Sequence, residues 1–135
     1  MGCDIHIHAE IKVRGKWHHY DQPDCDRNYL LFEKMAGVRG EVSNAISAPR
    51  GLPENATFTT KFDAKHWGSD GHSHSWLSSK EVGQLATWWE ANGNGGLFAR
   101  WDQWLFGNPY SGWTKYPQDR PKGLDDFRFI FWFDN

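Results

Sequence analysis

Apolar and polar side chains alternate along the start of the chain, from residue 3 to residue 13. The apolar positions are Ile5, Ile7, Ala9, Ile11 and Val13, and the polar positions are Asp4, His6, His8, Glu10 and Lys12. Because successive side chains of a strand point to opposite faces, this period of two predicts a half-buried β-strand. Its polar face, with two imidazoles and two carboxylates, is the leading candidate for a functional site.

The last residues alternate in the same way. Four phenylalanines occupy one face, namely Phe127, Phe129, Phe131 and Phe133, and the other face carries Arg128, Ile130, Trp132 and Asp134. If this strand pairs with the first one, the phenylalanines meet the isoleucines and the remaining side chains join the histidine face. We therefore predict one composite site built from both ends of the chain, with Trp132 available to contact a substrate.

Two helices have recognisable ends. Asp26 is placed to cap a helix over about Arg27–Ala36, where leucine and methionine recur at helical spacing. Ser78 and Glu81 form a capping-box pattern at the start of a second helix, which we expect to end near Asn92. Both helices are predicted to pack on the apolar side of the sheet.

The remaining segments contain fewer regular patterns. We predict a hairpin return over Trp17–Tyr20, an irregular loop over Gly40–Lys61, and a loop around residues 70–74. A shorter helix is expected over Leu97–Leu105, followed by a turn-rich stretch from Gly107 to Leu124. Together these elements predict a single α+β domain, residues 1–135, with a small, mostly antiparallel sheet and two or three helices on one face.

Composition narrows the classes of function. The 9 tryptophans and 9 phenylalanines supply large packing units, and the net charge of -2 provides no basic field for bulk nucleic acid. The chain opens without a charged segment followed by an apolar run, so we expect neither a signal peptide nor a membrane span. With only Cys3 and Cys25, we expect a cytoplasmic protein with reduced thiols.

Two histidine-rich segments point to metal chemistry. Alternate side chains of a strand start about 6.5 to 7 Å apart, so neighbours on the polar face can converge on one ion. The segment from Asp70 to His74 adds histidines beside a glycine. Imidazole and carboxylate suit zinc, manganese or iron, of which zinc and manganese are the first candidates. The predicted ligands of this divalent ion are Asp4, His6, His8, His72, His74 and Asp134. The alternative is that these are ordinary strand residues and backbone-bonded loop histidines.

Donors that could hold a phosphate lie elsewhere in the sequence. Arg27, Tyr29 and Arg39 are candidate substrate-binding residues, since guanidinium and hydroxyl groups bind phosphate or carboxylate oxygens. Their alternative role is in helix caps and surface ion pairs.

Two short patterns resemble a known enzyme family. Asp4-x-His6 and Gly71-His72-Ser73-His74 are similar to the first and last motifs of calcineurin-like metallophosphoesterases. That resemblance implies metals that activate a water for attack on phosphorus. The family's intervening Gly-Asp and Asn-His motifs are missing, so the resemblance extends to the chemistry and not to the fold.

A second resemblance covers nearly the whole chain. Small bacteriophage and prophage proteins of undefined activity open like Met1-Gly2-Cys3-Asp4-Ile5-His6 and end like Phe131-Trp132-Phe133-Asp134-Asn135. Similar segments lie at residues 27–32, 36–40, 49–53 and 72–77. In that family the position of His74 accepts other residues, which makes His72 the better ligand candidate.

The leading hypothesis is a metal-dependent hydrolase of a phosphodiester or nucleotide, with a nucleotide signal of bacterial immunity as the candidate substrate. Asp4, His6 and His72 would be catalytic, and a bound water would be the nucleophile. The rival hypothesis is a non-catalytic phage counter-defence protein that binds a host protein or sequesters a nucleotide. In a third reading, a metal only stabilises the fold. The oligomeric state stays open.

Overall fold

The computed structural model of the protein describes residues 2–23, 25–93 and 122–135. The described strands are β1 (Asp4–Val13), β2 (Lys16–Asp21), β3 (Gly71–Ser78) and β4 (Leu124–Asp134). The described helices are α1 (Tyr29–Ala36), α2 (Phe58–Trp67) and α3 (Ser79–Asn92), with short 3-10 turns at Val42–Asn44 and Gly68–Asp70. The strands form one antiparallel sheet in the order β2-β1-β4-β3.

The first and last strands lie side by side at the centre of the sheet. Ile5 is opposite Phe133 and Ile7 is opposite Phe131, so the apolar faces of β1 and β4 coincide as the sequence predicts. The four phenylalanines of β4 are fully buried, in a core shared with α1 and α3. The α+β fold with both terminal strands in one sheet is therefore confirmed.

Helix α1 begins later than expected. Its N-cap is Asn28, whose side-chain oxygen accepts a hydrogen bond from the backbone N–H of Leu31 at 3.1 Å, so the prediction that Asp26 caps this helix is wrong. The helix ends at Ala36 and its C-cap is Gly37, which adopts the left-handed φ of 78°. A Cβ at this glycine would lie 2.5 Å from the Cα of Val42, so the close approach also requires glycine.

Helix α3 follows its sequence pattern closely. The Ser78 side chain accepts from the backbone N–H of Glu81, and the Glu81 carboxylate accepts from the backbone N–H of Ser78. This reciprocal capping box places Val82, Leu85, Ala86 and Trp89 in the core. Of the helices in the described ranges, none is long and apolar enough to cross a membrane.

Helix α2 corrects two expectations. Its first turn falls inside the stretch predicted as irregular loop, and it lies on the polar face of the sheet, opposite α1 and α3. The described helices therefore cover both faces and not one. Helix α2 could not be predicted from the sequence because its buried positions are Thr60 and Ala64, whereas Phe58 and Phe62 are exposed. That arrangement lacks the apolar stripe by which helices are recognised.

Strand β3 replaces the loop expected around residues 70–74. The ladder with β4 pairs His72 with Phe133 and resumes with Ser75 opposite Phe131, so an irregularity separates the two halves. Within it Ser73 has a φ of 56°. Such a bulge breaks the period of two that would have identified the strand. The helix predicted over Leu97–Leu105 and most of the turn-rich stretch after Gly107 lie outside the described residues.

Candidate functional site

The polar face of β1 is closed over most of its length. His8 and Glu10 are fully buried beneath α2, and Trp132 of β4, expected to be accessible to a substrate, is buried as well. Its ring lies 5.2 Å from that of His8 and 6.1 Å from that of His6. Trp132 therefore forms the floor of the site, and the accessible part lies toward the start of β1.

His6 and Asp134 form a close pair at this accessible end. Nε2 of His6 and Oδ2 of Asp134 are 2.5 Å apart, and the side chains remain 22% and 19% exposed. The ring of Trp67, at the end of α2, lies 4.1 Å from the His6 ring and covers one side of it. The pair is thus fixed in position and still open to solvent.

Asp4 lies next to this pair and is held by an arginine. It is directly opposite Asp134 in the β1–β4 ladder, and its carboxylate accepts two hydrogen bonds from the Arg27 guanidinium, at 3.0 and 3.1 Å. These hydrogen bonds lower the pKa of the Asp4 carboxyl and raise the pKa of Arg27. Both side chains are about half exposed, so solvent screens the pair.

The other predicted phosphate-binding residues gather at the same end of β1. The hydroxyl of Tyr29 accepts a hydrogen bond from the backbone N–H of Cys3 at 3.1 Å. The Arg39 guanidinium lies 5.1 Å from the centre of the Tyr29 ring, in the position of a cation–π contact. Arg27 alone therefore contacts Asp4, whereas Tyr29 contacts the backbone of Cys3 and Arg39 lies against the Tyr29 ring.

A second histidine group lies further along β1. Nε2 of His8 is 2.7 Å from Oδ2 of Asp63 on α2, and Nδ1 of His8 is 2.8 Å from Nε2 of His19 on β2. Burial, followed by the neighbouring His8, lowers the pKa of His19. Both ring nitrogens of His8 are thus engaged away from the His6–Asp134 pair.

Glu10 and Arg128 form the closed end of the face. The Arg128 guanidinium donates to Oε1 of Glu10 at 2.8 and 3.1 Å, while Thr57 and Thr60 donate to Oε2. Burial raises the pKa of Glu10, but the hydrogen bonds from Thr60, Thr57 and Arg128 outweigh it and the net shift is downward. The Arg128 guanidinium also lies 3.9 Å from the Trp17 ring. This network anchors the start of α2 to the sheet.

The two histidines of β3 lie on opposite faces. His72 is opposite Phe133, with ring centres 6.2 Å apart, which places it on the phenylalanine side of the sheet. His74 stacks on Trp132 at 5.6 Å and so belongs to the polar face. Burial, followed by the neighbouring His72, lowers the pKa of His74. The expected grouping of His72 with Asp4 and His6 is therefore not formed, because the bulge between the two histidines reverses their parity.

The predicted metal ligands thus divide into several groups. Asp4, His6 and Asp134 lie together at the accessible end, whereas His8 contacts His19 and Asp63. His74 stacks on Trp132, and His72 lies on the opposite face of the sheet. Within the part of the chain that the structure describes, no group of three or more histidine, cysteine, aspartate or glutamate side chains is arranged to hold a metal ion.

Sequence reasoning missed two members of the polar face. The two are His19 and Asp63. In the sequence His19 stands beside His18, and this pair weakens the alternation of β2, so the face of His19 could not be assigned. Asp63 lies on α2, the helix that the sequence did not predict. Two adjacent histidines on an edge strand were the one usable sign. Comparisons of the chain with protein-family models, with curated proteins and with solved structures gave no match.

Proposed function

We propose that this protein is a metal-dependent hydrolase that acts on a phosphodiester of a nucleotide. The observation that carries the proposal is the His6–Asp134 pair, 2.5 Å apart at the accessible end of the polar face and next to Asp4. Arg27, which donates to the Asp4 carboxylate, adds positive charge at the same end, where a phosphate would lie. The resemblance to phage proteins motivates nucleotide signals of bacterial immunity as the first substrates to test.

The Asp134 carboxylate determines what His6 can do. A carboxylate accepts a hydrogen bond, so Nε2 of His6 carries the proton and Nδ1 keeps its lone pair. This arrangement of carboxylate and imidazole orients the ring. Nδ1 of His6 is therefore the nitrogen available for catalysis, and the flanking Trp67 ring restricts the ring's rotation.

A divalent ion, zinc or manganese, is the proposed cofactor. Asp4 and the free nitrogen of His6 would hold it, with Asp134 as orienting carboxylate or third ligand, and Asp4 would have to turn away from Arg27. When bound, the ion would activate a water and neutralise charge on the phosphate oxygens. Arg27, released from Asp4, would then be free to bind the substrate phosphate.

The test combines metal analysis with turnover. Purified protein would be analysed for bound metal and then assayed against cyclic and linear dinucleotides with zinc or manganese, before and after treatment with a chelator. We expect chelator-sensitive hydrolysis that is lost in His6→Gln and kept in His18→Gln, whose side chain is exposed on β2. Protein without bound metal, and without any turnover that depends on added metal, would contradict the proposal.

A second candidate function is favoured by an exposed aromatic pair on α2 that has no role in the proposed hydrolysis. Phe58 and Phe62 are 80% and 65% exposed, one turn apart on α2, with their rings 5.8 Å apart. Exposed aromatic pairs of this kind occur in protein interfaces. The candidate is a counter-defence protein that binds a host protein or sequesters a nucleotide. This candidate predicts tight binding, and mass spectrometry should recover any bound nucleotide unchanged. The double variant Phe58→Ala, Phe62→Ala should lose binding to a host protein and keep binding to a nucleotide.

A further inference from the structure

The group formed by His8, His19 and Asp63 has no role in the proposed reaction. Its members come from β1, β2 and α2, and they form a continuous chain from the Asp63 carboxylate through the His8 ring to Nε2 of His19, with steps of 2.7 and 2.8 Å. His8 is fully buried, whereas Asp63 keeps 29% of its side-chain surface. Three separate elements thus bring nitrogen and oxygen donors together around one buried imidazole.

The hydrogen-bonding order of this chain follows from the chemistry of its groups. The Asp63 carboxylate accepts, so Nε2 of His8 is the protonated nitrogen and Nδ1 carries the lone pair. That lone pair points at Nε2 of His19, 2.8 Å away, with the two ring planes at 63°. Without another occupant, only the tautomer of His19 with a proton on Nε2 satisfies this contact.

A metal ion bound between Nδ1 of His8 and Nε2 of His19 would replace this hydrogen bond and accept the lone pairs of both nitrogens. Zinc binds imidazole nitrogen at about 2.0 to 2.1 Å, so two ligand nitrogens in tetrahedral geometry lie about 3.3 Å apart. Reaching that value from the observed 2.8 Å needs a separation of about half an ångström, together with a turn of the rings so that both lone pairs point at the ion and not along the line between the nitrogens. A histidine ligand whose second nitrogen donates to a carboxylate is the usual arrangement around bound zinc.

We propose that His8 and His19 form a two-histidine site for a transition-metal ion of the zinc class, with Asp63 as the carboxylate that orients His8. Imidazole pairs favour zinc, nickel and copper over magnesium or calcium, which prefer oxygen ligands. Water would complete the coordination, since the Asp63 carboxylate is engaged by Nε2 of His8. This site is separate from the His6–Asp134 pair and does not depend on the proposed hydrolysis.

The consequence of such a site is structural. Strand β2 lies at the edge of the sheet and pairs with β1 through a ladder that is irregular between Ala9 and Glu10. An ion shared by His8 and His19 would join this edge strand to the centre of the sheet, and Asp63 would extend the link to α2. Binding to the folded state alone stabilises a protein in proportion to the logarithm of the metal concentration.

The test uses zinc ions alone as the probe on the full chain after treatment with a chelator. Isothermal titration calorimetry would count the zinc ions bound by the wild type, by His19→Gln and by His18→Gln. His18 is the matched control, because it is the adjacent exposed histidine of β2 and lies on the opposite face of the strand. Cobalt absorption in the visible range would report tetrahedral coordination, and magnesium would serve as the ion that does not bind.

We expect His19→Gln to bind one zinc ion fewer than His18→Gln, and Asp63→Asn to bind that ion about 10- to 100-fold more weakly. Zinc should raise the melting temperature of the wild type and of His18→Gln more than that of His19→Gln. Equal zinc binding by the two histidine variants would overturn the proposal. Loss of the same zinc ion in His6→Gln would also overturn it, because the two histidine groups would then share one site.

Discussion

The Asp134 carboxylate lies 2.5 Å from Nε2 of His6, although 128 positions separate the two residues in the chain. The contact exists because β1 and β4 are central neighbours in the sheet, with Asp4 directly opposite Asp134 and His6 opposite Trp132. The accessible end of the polar face is therefore assembled by the same strand pairing that assembles the core. A change at this end can alter chemistry without touching the phenylalanines on the other side.

Replacing Asp134 by asparagine should impair the proposed hydrolysis and spare the fold. Asparagine keeps the size of the side chain but removes the charge that orients His6, so we expect turnover to fall by about 10- to 100-fold. The matched control is Asp126→Asn on the same strand, opposite Lys12 and outside the site. Kinetics on the dinucleotide substrates, with circular dichroism to monitor folding, would check it. Unchanged turnover in Asp134→Asn would remove this carboxylate from the mechanism.

Replacing Glu10 by glutamine should strongly destabilise the fold. Glu10 is fully buried and accepts hydrogen bonds from Arg128 and from both Thr57 and Thr60. Neutralising it leaves the Arg128 guanidinium buried beside an uncharged amide, which costs about 3 to 5 kcal/mol in comparable pairs. Urea denaturation would measure the loss. The exposed Glu54→Gln carries the same charge change and should leave the free energy of unfolding within about 0.5 kcal/mol of the wild type.

The part of the fold that could be predicted from the sequence is the part governed by period two and by capping residues. Ile5 and Phe133 could be placed together because each belongs to a strictly alternating stretch whose apolar side must be buried. Ser78 and Glu81 fixed the start of α3 because the capping box is a local interaction between residues three positions apart. Both inferences need only short-range information and the requirement to bury apolar surface.

The rest of the site depends on elements that break these rules. Helix α2 attaches to the sheet through Asp63, Thr60 and Trp67, which are contacts to histidine and glutamate and not to an apolar core. The parity of His72 and His74 depends on a bulge at Ser73, and one extra residue exchanges the faces of all that follow. Neither feature is encoded in local periodicity, so the contacts that α2 makes with the polar face, and the faces of His72 and His74, could not be assigned from sequence.

Replacing Ser78 by alanine should cost about 1 kcal/mol of stability, because the N-terminal N–H groups of α3 lose a side-chain acceptor. Ser79→Ala is the matched control, since Ser79 is the first residue of the helix and alanine favours helix. Thermal and urea denaturation of the two variants would measure the difference. Equal stability of the two variants would show that the capping hydrogen bond contributes nothing measurable.

Replacing Glu81 by glutamine should change how stability depends on pH. The Arg50 guanidinium donates to both carboxylate oxygens of Glu81, at 2.6 and 2.7 Å, and these bonds hold the pKa of Glu81 below its usual range although burial opposes them. The unfolded chain therefore binds a proton more readily at this position than the folded chain does. Stability from the pair is fully present above the unfolded-state pKa, about 4.3 for a glutamate. It is lost as the pH falls through the lower pKa of the folded protein.

Glutamine can still serve in the capping box at position 81, so the Glu81→Gln variant removes the charge and keeps the cap. We expect its free energy of unfolding to lie below that of the wild type at neutral pH and to converge with it in acid. Urea denaturation between about pH 7 and pH 3 would follow this convergence. Glu90→Gln, exposed on the same helix, controls for the loss of one negative charge. A constant difference between wild type and Glu81→Gln over this range would mean that the Arg50 pair does not bias proton binding. The two side chains would then hold α3 to the segment between α1 and α2 by contacts that are independent of charge.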